Sequence, residues 1–267
     1  MTKLDRELLL RAKLRLLRMH FEAGVGHIGG NLSALDIVLS LYHHTLTAKD
    51  AFVLSKGHSA GALYVALWSK GILADADLET FHRDASRLSG HPPARGIDAI
   101  PFATGSLGHG PSLAAGLALA KQLRSEEGRV FCLTSDGEWN EGSCWEALIF
   151  ARHQNLSNLT LIVDLNGLQG FGTTKEVADL DSLAEKFRSF GLRVREISGH
   201  DSAALAETLN EESDGRGPSV VVAATCKGNG VSFMENRMEW HYLPVDASLY
   251  AQAVAELERA LQETEVN

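Results

Sequence analysis

Cysteine, basic runs and long apolar runs are all scarce in this chain of 267 residues, and each scarcity excludes a class of protein. There are three cysteines, Cys132, Cys144 and Cys226, and none forms a CxxC spacing. Isolated thiols of this kind, two of them inside apolar stretches, read as small buried hydrophobes rather than metal ligands or a disulfide framework. Basic residues number 25 against 34 acidic ones, giving a net charge of -9. Outside the first helical stretch, where Arg11, Lys13, Arg15 and Arg18 alternate with leucines, no cluster of positive charge stands out, which argues against nucleic acid as a partner.

No apolar segment approaches the roughly 20 residues of a spanning helix. The start carries no apolar signal core with a cleavage site either, so the expected location is cytoplasmic, with no membrane partner. The leucine-rich, basic first helix could in principle lie on a lipid surface. Amphipathic N-terminal helices of enzymes have the same pattern, however, and packing against a core or subunit is the expectation.

What the chain does contain is 45% hydrophobic and 22% charged residues, enough to build a substantial core. No repeat, low-complexity segment or linker divides it, and residues 1–267 are expected to form a single α/β domain. Helical patterns cover Leu4 to Ala23, Ser33 (as a cap) to about His44, Ala60 to Ser69, Ser112 to Ser125, Glu141 to Gln154, Asp201 to Glu211 and Ser248 to Glu263. Between them lie strand patterns at Ala51 to Leu54, Arg129 to Thr134, Thr160 to Asp164, Leu192 to Ile197 and Ser219 to Thr225. Near-continuous apolar strands alternating with helices predict a doubly wound parallel sheet with helices on both faces.

In such sheets ligands bind beyond the carboxyl ends of the strands. Asp136 follows one strand and Asn166 the next, so adjacent parallel pairing would bring their oxygens to one edge. With the Leu168 carbonyl, in a turn freed by Gly167, they make a set of hard oxygen donors suited to Mg²⁺ or Ca²⁺. A protein that offers Mg²⁺ so few ligands usually leaves the rest to water and a ligand's phosphates. Gly137 lets the backbone approach those phosphates at the start of the following helix, where the dipole favours anions. Asp-Gly and Asn-Gly are also common turn formers; it is their strand-helix-strand spacing that makes them a candidate site. The glycines of "GSLGHG" (Gly105 to Gly110) do not suit a nicotinamide loop, since no acidic residue follows at the expected strand end.

The stretch from Ser135 to Gly172, "SDGEWNEGSCWEALIFARHQNLSNLTLIVDLNGLQGFG", resembles the thiamine diphosphate motif in the form found in transketolases. Further segments agree in order: "GHIGGNLSALDIVLSLYHH" from Gly26, "LSKGHSAGALYVAL" from Leu54, "GHPPARGIDAIPFATGSLGHGPSLAAGLALA" from Gly90 and "CKGNGVSFMENRMEWH" from Cys226. Three positions depart from the family pattern. Ser135 replaces the motif's first glycine, Ile28 the usual proline after the first histidine, and His109 a glutamine.

The resemblance implies the thiamine diphosphate-binding fold, in its diphosphate-binding domain. It assigns the metal to Asp136, Asn166 and the Leu168 carbonyl, with Mg²⁺ as the expected ion and Ca²⁺ or Mn²⁺ able to substitute. Cofactor contacts fall to His58, Gly105, Leu107, Asp136, Gly137, Glu138, Asn166 and His241. His27, His91 and His241 match histidines that line the substrate channel, where a neutral imidazole can orient hydroxyls and move protons. Glu141 matches a glutamate that links the two active sites at the subunit interface. His20, His43, His44, His82, His153 and His200 lack this context and are expected to be surface or packing residues, and Trp139 and Trp145 core or interface aromatics.

The implied activity is transfer of a two-carbon ketol unit from a ketose, or ketose phosphate, to an aldose. In the family the glutamate that activates the cofactor belongs to a pyrimidine-binding domain, for which no segment of this sequence is a candidate. The chain therefore resembles the N-terminal subunit of a split transketolase, expected to form an α2β2 heterotetramer with a C-terminal subunit carrying that domain. The alternatives are a decarboxylating relative, such as a 1-deoxyxylulose-phosphate synthase or a 2-oxoacid dehydrogenase component, and a non-catalytic cofactor-binding subunit.

Overall fold

Five apolar segments form one parallel sheet, because each is flanked by helices long enough to carry the chain back to the same edge. The strands are β1 (Ala51–Leu54), β2 (Val130–Ser135), β3 (Leu159–Leu165), β6 (Arg193–Ser198) and β7 (Ser219–Ala224), while β4 (Leu168–Gln169) and β5 (Gly172–Thr173) make a small antiparallel hairpin. The order across the sheet is β1-β2-β3-β7-β6. This is a computed structural model, and it describes residues 3–266. Strands β2, β3 and β7 at the centre are almost wholly buried, whereas the edge strand β6 exposes Arg195 and Glu196.

Helices cover both faces, as the uninterrupted apolar strands require. On one side lie α1 (Lys3–Ala23), α2 (Ile28–Ser40), α3 (Ala60–Ser69), the short α4 (Asp75–Leu78), α9 (Ser202–Leu209) and α10 (Ala247–Val266), packed with Phe52, Phe131, Ile162 and Val221. On the other lie α5 (Gly110–Leu123), α6 (Gly142–His153) and α8 (Leu183–Ser189), packed with Val53, Cys132, Leu161 and Val222; the short α7 (Thr174–Ala178) follows the hairpin. Cys132 and Cys144 are buried and Cys226 half-buried, all three free thiols.

The basic side chains of α1 are partly turned inward. Arg15 is bonded to Asp75 through its side chain and carbonyl at 3.2 and 3.0 Å, and Lys13 donates to Asn229. The closing helix α10 packs along α1, with Phe21 stacked on Tyr250 at 4.2 Å between ring centroids. No helix among the described residues is long and apolar enough to cross a membrane.

The boundary that departs furthest from the sequence reading is the start of the second helix. Ser33 does not cap the second helix; α2 starts at Ile28, with His27 at φ 68° as the residue before it. The Ser33 hydroxyl is buried one turn in and donates to the Asp164 carboxylate at 2.6 Å. The two glycines at 29 and 30 conceal this helix start in the sequence because glycine is a poor helix former. A Cβ at Gly29 would stand 3.1 Å from Trp240 and 3.2 Å from Lys227, closer than ordinary contact, so a larger residue would push these side chains aside.

His20, read as a surface or packing residue, packs at the junction of α1, α2 and α3 and is 1% exposed. Burial is the main cause that lowers its pKa to about 4. The unfolded chain takes up this proton near 6.5 while the folded chain resists, so His20 costs stability increasingly as pH falls from 6.5 towards 4. At pH 5 the cost reaches about 2 kcal/mol. Denaturant unfolding at pH 7 and pH 5 should therefore show a smaller pH dependence for His20→Gln than for the parent; equal slopes would contradict the assignment.

Candidate functional site

The register of the sheet builds the site. Ser135 on β2 pairs with Asp164 on β3, so the residues that follow each strand, Asp136 and Asn166, emerge side by side at the carboxyl edge. Asp136 is 3% exposed; its two oxygens accept from the Gly137 amide at 2.7 Å and the Gly167 amide at 2.6 Å. Gly167 stands at φ 74°, a conformation glycine adopts without strain, and this aims its amide at the carboxylate. The Asn166 side-chain oxygen accepts from the Leu168 amide at 3.1 Å. Burial, then the charge of Asp164, lifts the Asp136 pKa to about 6. Such a desolvated carboxylate is suited to a cation.

Beneath this edge is a buried charged network that sequence reasoning missed. Lys56 and Asp164 form an ion pair with both side chains fully buried. Asp164 also accepts from Ser33 and Thr225, and Lys56 donates to the Gly30 carbonyl at 3.2 Å. Burial alone would raise the Asp164 pKa, but the Lys56 charge and these hydrogen bonds hold it below the usual carboxylate range. Removing one partner strands the other charge, so Lys56→Met should destabilise the fold by about 3–5 kcal/mol in a denaturant titration. A loss below about 1 kcal/mol would show that the pair is dispensable.

The opposite wall consists of four imidazoles. His27 lies 5.6 Å from His58, 6.1 Å from His91 and 5.2 Å from His241 between ring centroids, and His58 and His241 are 5.4 Å apart. Four separate segments bring them together. The His27 amide donates to the His241 carbonyl at 3.0 Å, and one side-chain amide, that of Asn31, donates to the carbonyls of His27 and His58 at 2.8 and 3.0 Å. Tyr64 and Ser89 donate to the His91 carbonyl. Gly105 sits against the His91 ring, where a Cβ would be only 2.8 Å away.

Burial is the leading cause that lowers the pKa of all four histidines, reinforced at His27, His58 and His241 by nearby lysine charge; His241 falls to about 3. All four are therefore neutral near pH 7. The buried Lys227 ammonium, itself lowered to about 8 by burial and by Lys56, stands 3.1 Å from His241 Nδ1. While it donates there, the ring proton is held on Nε2. A neutral imidazole so oriented can donate a hydrogen bond or exchange a proton without carrying charge.

These walls enclose a cleft of about 350 Å³. His27, His58, His91, His241, Gly105, Leu107, Asp136, Gly137, Glu141, Asn166 and Leu168 all line it, so eleven of the twelve candidate residues share one cavity. Glu138 does not line it. Its carboxylate is buried underneath, accepting from Ser55 and from the Gly108 and Ser135 amides, where it fixes the loop that carries Leu107. Gln169, Phe171, Lys227 and Tyr242 also line it and were not anticipated. Phe171, at the tip of the β4–β5 hairpin, is 85% exposed, and Tyr242 and Leu243 are also open to solvent.

The donor set fits a hard divalent cation with a diphosphate: one carboxylate, one amide oxygen and a backbone carbonyl, beside a lysine ammonium.

Residues 9–262 match the family model described as "Transketolase, thiamine diphosphate binding domain". The chain is 38% identical over 242 residues to one of the subunits of the apulose-4-phosphate transketolase of Actinobacillus succinogenes, covering 87% of each chain. It is 36% identical over 246 residues to a 6-deoxy-6-sulfo-D-fructose transketolase subunit of a Clostridium species, covering 88% of this chain and 90% of that one. A transketolase structure from Campylobacter jejuni superimposes with a TM-score of 0.87 at 25% identity, covering 99% of this chain but 46% of the other.

Proposed function

Since the chain belongs to the transketolase family through its thiamine diphosphate-binding domain, we propose that it is the cofactor- and metal-holding subunit of a split transketolase. With its partner it transfers a two-carbon ketol unit from a ketose donor, such as a sugar phosphate, to an aldose. The observation that carries this reading is the convergence of Asp136, Asn166 and Leu168 with four neutral histidines on one cleft. Two relatives of nearly the same length bear names of transketolase subunits, which supports a two-chain enzyme. We propose a C-terminal, pyrimidine-binding partner and an α2β2 assembly, with Glu141 at the interface near the cleft.

Bound thiamine diphosphate would supply the nucleophilic carbon and electron sink that this carbon-carbon chemistry requires. In this reading Asp136, Asn166 and the Leu168 carbonyl hold Mg²⁺, and Gly137, His58, Gly105, Leu107 and Lys227 surround the diphosphate and the ring that follows it. His27, His91 and His241 orient substrate hydroxyls and move protons, the Nε2 proton of His241 being fixed by Lys227.

His241→Ala and His27→Ala should each lower turnover of the assembled enzyme by roughly 10²-fold, with cofactor affinity nearly unchanged. Steady-state kinetics and cofactor titration on the same preparations separate the two effects. Parallel losses in both would make these histidines structural.

A further inference from the structure

A second cavity, of about 310 Å³, lies at the opposite edge of the sheet, where β6 and β7 begin and α6 ends. It is remote from the cleft: α6 starts beside Glu141 and brings Arg152 to the cavity 11 residues later, about 16 Å away at the helical rise. Three arginines line it, Arg152, Arg193 and Arg216, together with one carboxylate residue, Asp214. This is an unusual concentration of positive charge in a chain whose net charge is -9.

The local charges do not cancel. Arg193 pairs with Glu211, but that carboxylate is shared with Arg195, which bonds it at 3.0 Å. Arg216 is 3.6 Å from Asp214 and remains largely exposed. Arg152, half-buried in the last turn of α6, has no side-chain hydrogen bond or ion pair among the described residues. Four guanidiniums thus share two carboxylates.

The backbone is shaped around the unpaired group. Gly191 (φ 73°) and Gly217 (φ 121°) flank the Arg152 guanidinium. A Cβ on Gly217 would stand 3.2 Å from Arg152 Cδ, and one on Gly191 3.7 Å from its Nε. At Gly217 a side chain would crowd the Arg152 stem, whereas at Gly191 it would make ordinary contact, the positive φ there serving the end of α8. An arginine at a helix C-terminus also interacts favourably with the helix dipole, but that role needs neither the space at Gly217 nor two further arginines.

We propose that this cavity binds a small anion bearing a phosphoryl group, held by Arg152 with Arg216 and Arg193. A guanidinium meets a phosphoryl oxygen pair through two parallel hydrogen bonds, and the unsatisfied charge supplies the attraction. The volume sits at the lower end for small-molecule sites, which fits a free phosphate or the phosphate ester of a short polyol rather than a nucleotide.

The test is a residue-resolved titration of the intact chain at constant ionic strength, following arginine Nε–H resonances by NMR, with inorganic phosphate and glycerol phosphate as probes. Saturable shifts at Arg152 and Arg216 are expected, with about tenfold or greater weakening in Arg152→Gln and no change in Asp136→Ala. Tighter binding of the ester than of phosphate identifies a phosphorylated metabolite as the ligand, and equal or weaker binding identifies free phosphate; either order supports the site. Shifts at Arg152 that stay linear, like those of the exposed Arg124, would overturn the proposal. So would saturable binding that survives Arg152→Gln unchanged.

Discussion

Asp136→Ala is expected to weaken Mg²⁺-dependent thiamine diphosphate binding by about 100-fold or more. Loss of a partner that merely orients a metal ligand already costs 10–100-fold in affinity, and here the ligand itself is removed. It is also the one carboxylate among the three proposed metal ligands, the others being the Asn166 amide oxygen and the Leu168 carbonyl. The substitution should be tolerated by the fold, because burial and Asp164 make the Asp136 charge unfavourable where it stands. Its loss frees only the Gly137 and Gly167 amides, which a water can satisfy. Calorimetric titration of the cofactor at saturating Mg²⁺ reads the effect, with far-ultraviolet circular dichroism confirming the fold. Unchanged affinity in a folded variant would remove Asp136 from the site.

The second large effect is complete dependence on another chain. Among the residues that line the cleft the carboxylates are those of Asp136 and Glu141. The first is committed to the proposed metal and the second begins α6, while Glu138 is sealed beneath the loop by three hydrogen bonds. The group that activates the cofactor's pyrimidine is therefore expected from the partner chain. The cleft is also lined by the exposed Phe171 and Tyr242, with the exposed Leu243 next in sequence. Exposed apolar side chains gathered together mark a surface that another protein covers. Alone, the chain should bind cofactor weakly and turn over no substrate.

The parts of this architecture that rest on local pattern were legible in the sequence. Five strand segments and most helices follow from apolar runs and their breaks, and the Asp136 and Asn166 spacing implied adjacent strand ends, as the Ser135 and Asp164 pairing shows. Features that depend on burial were not legible. Lys56 and Lys227 look like ordinary surface lysines in a string of residues, yet are 0% and 1% exposed because Asp164 and the cleft accommodate their charge. Asn31 gives no sign that its side chain ties two histidine segments together, since the tie runs to carbonyls far apart in sequence. Glu138 adjoins the proposed metal-binding turn in sequence, but the tight turn after Asp136 directs its carboxylate down to Ser55. The hairpin β4–β5 and helix α8 are too short for periodicity to declare them.

The most direct test of the split-enzyme account is ketol transfer measured with the purified chain alone, with the cognate second chain alone, and with the two mixed, at saturating thiamine diphosphate and Mg²⁺. Mass measurement of the mixture by light scattering belongs to the same experiment. The account predicts no turnover from either chain by itself, with activity appearing on mixing together with a species containing two copies of each. Robust transfer by the single chain, with no second polypeptide present, would contradict it.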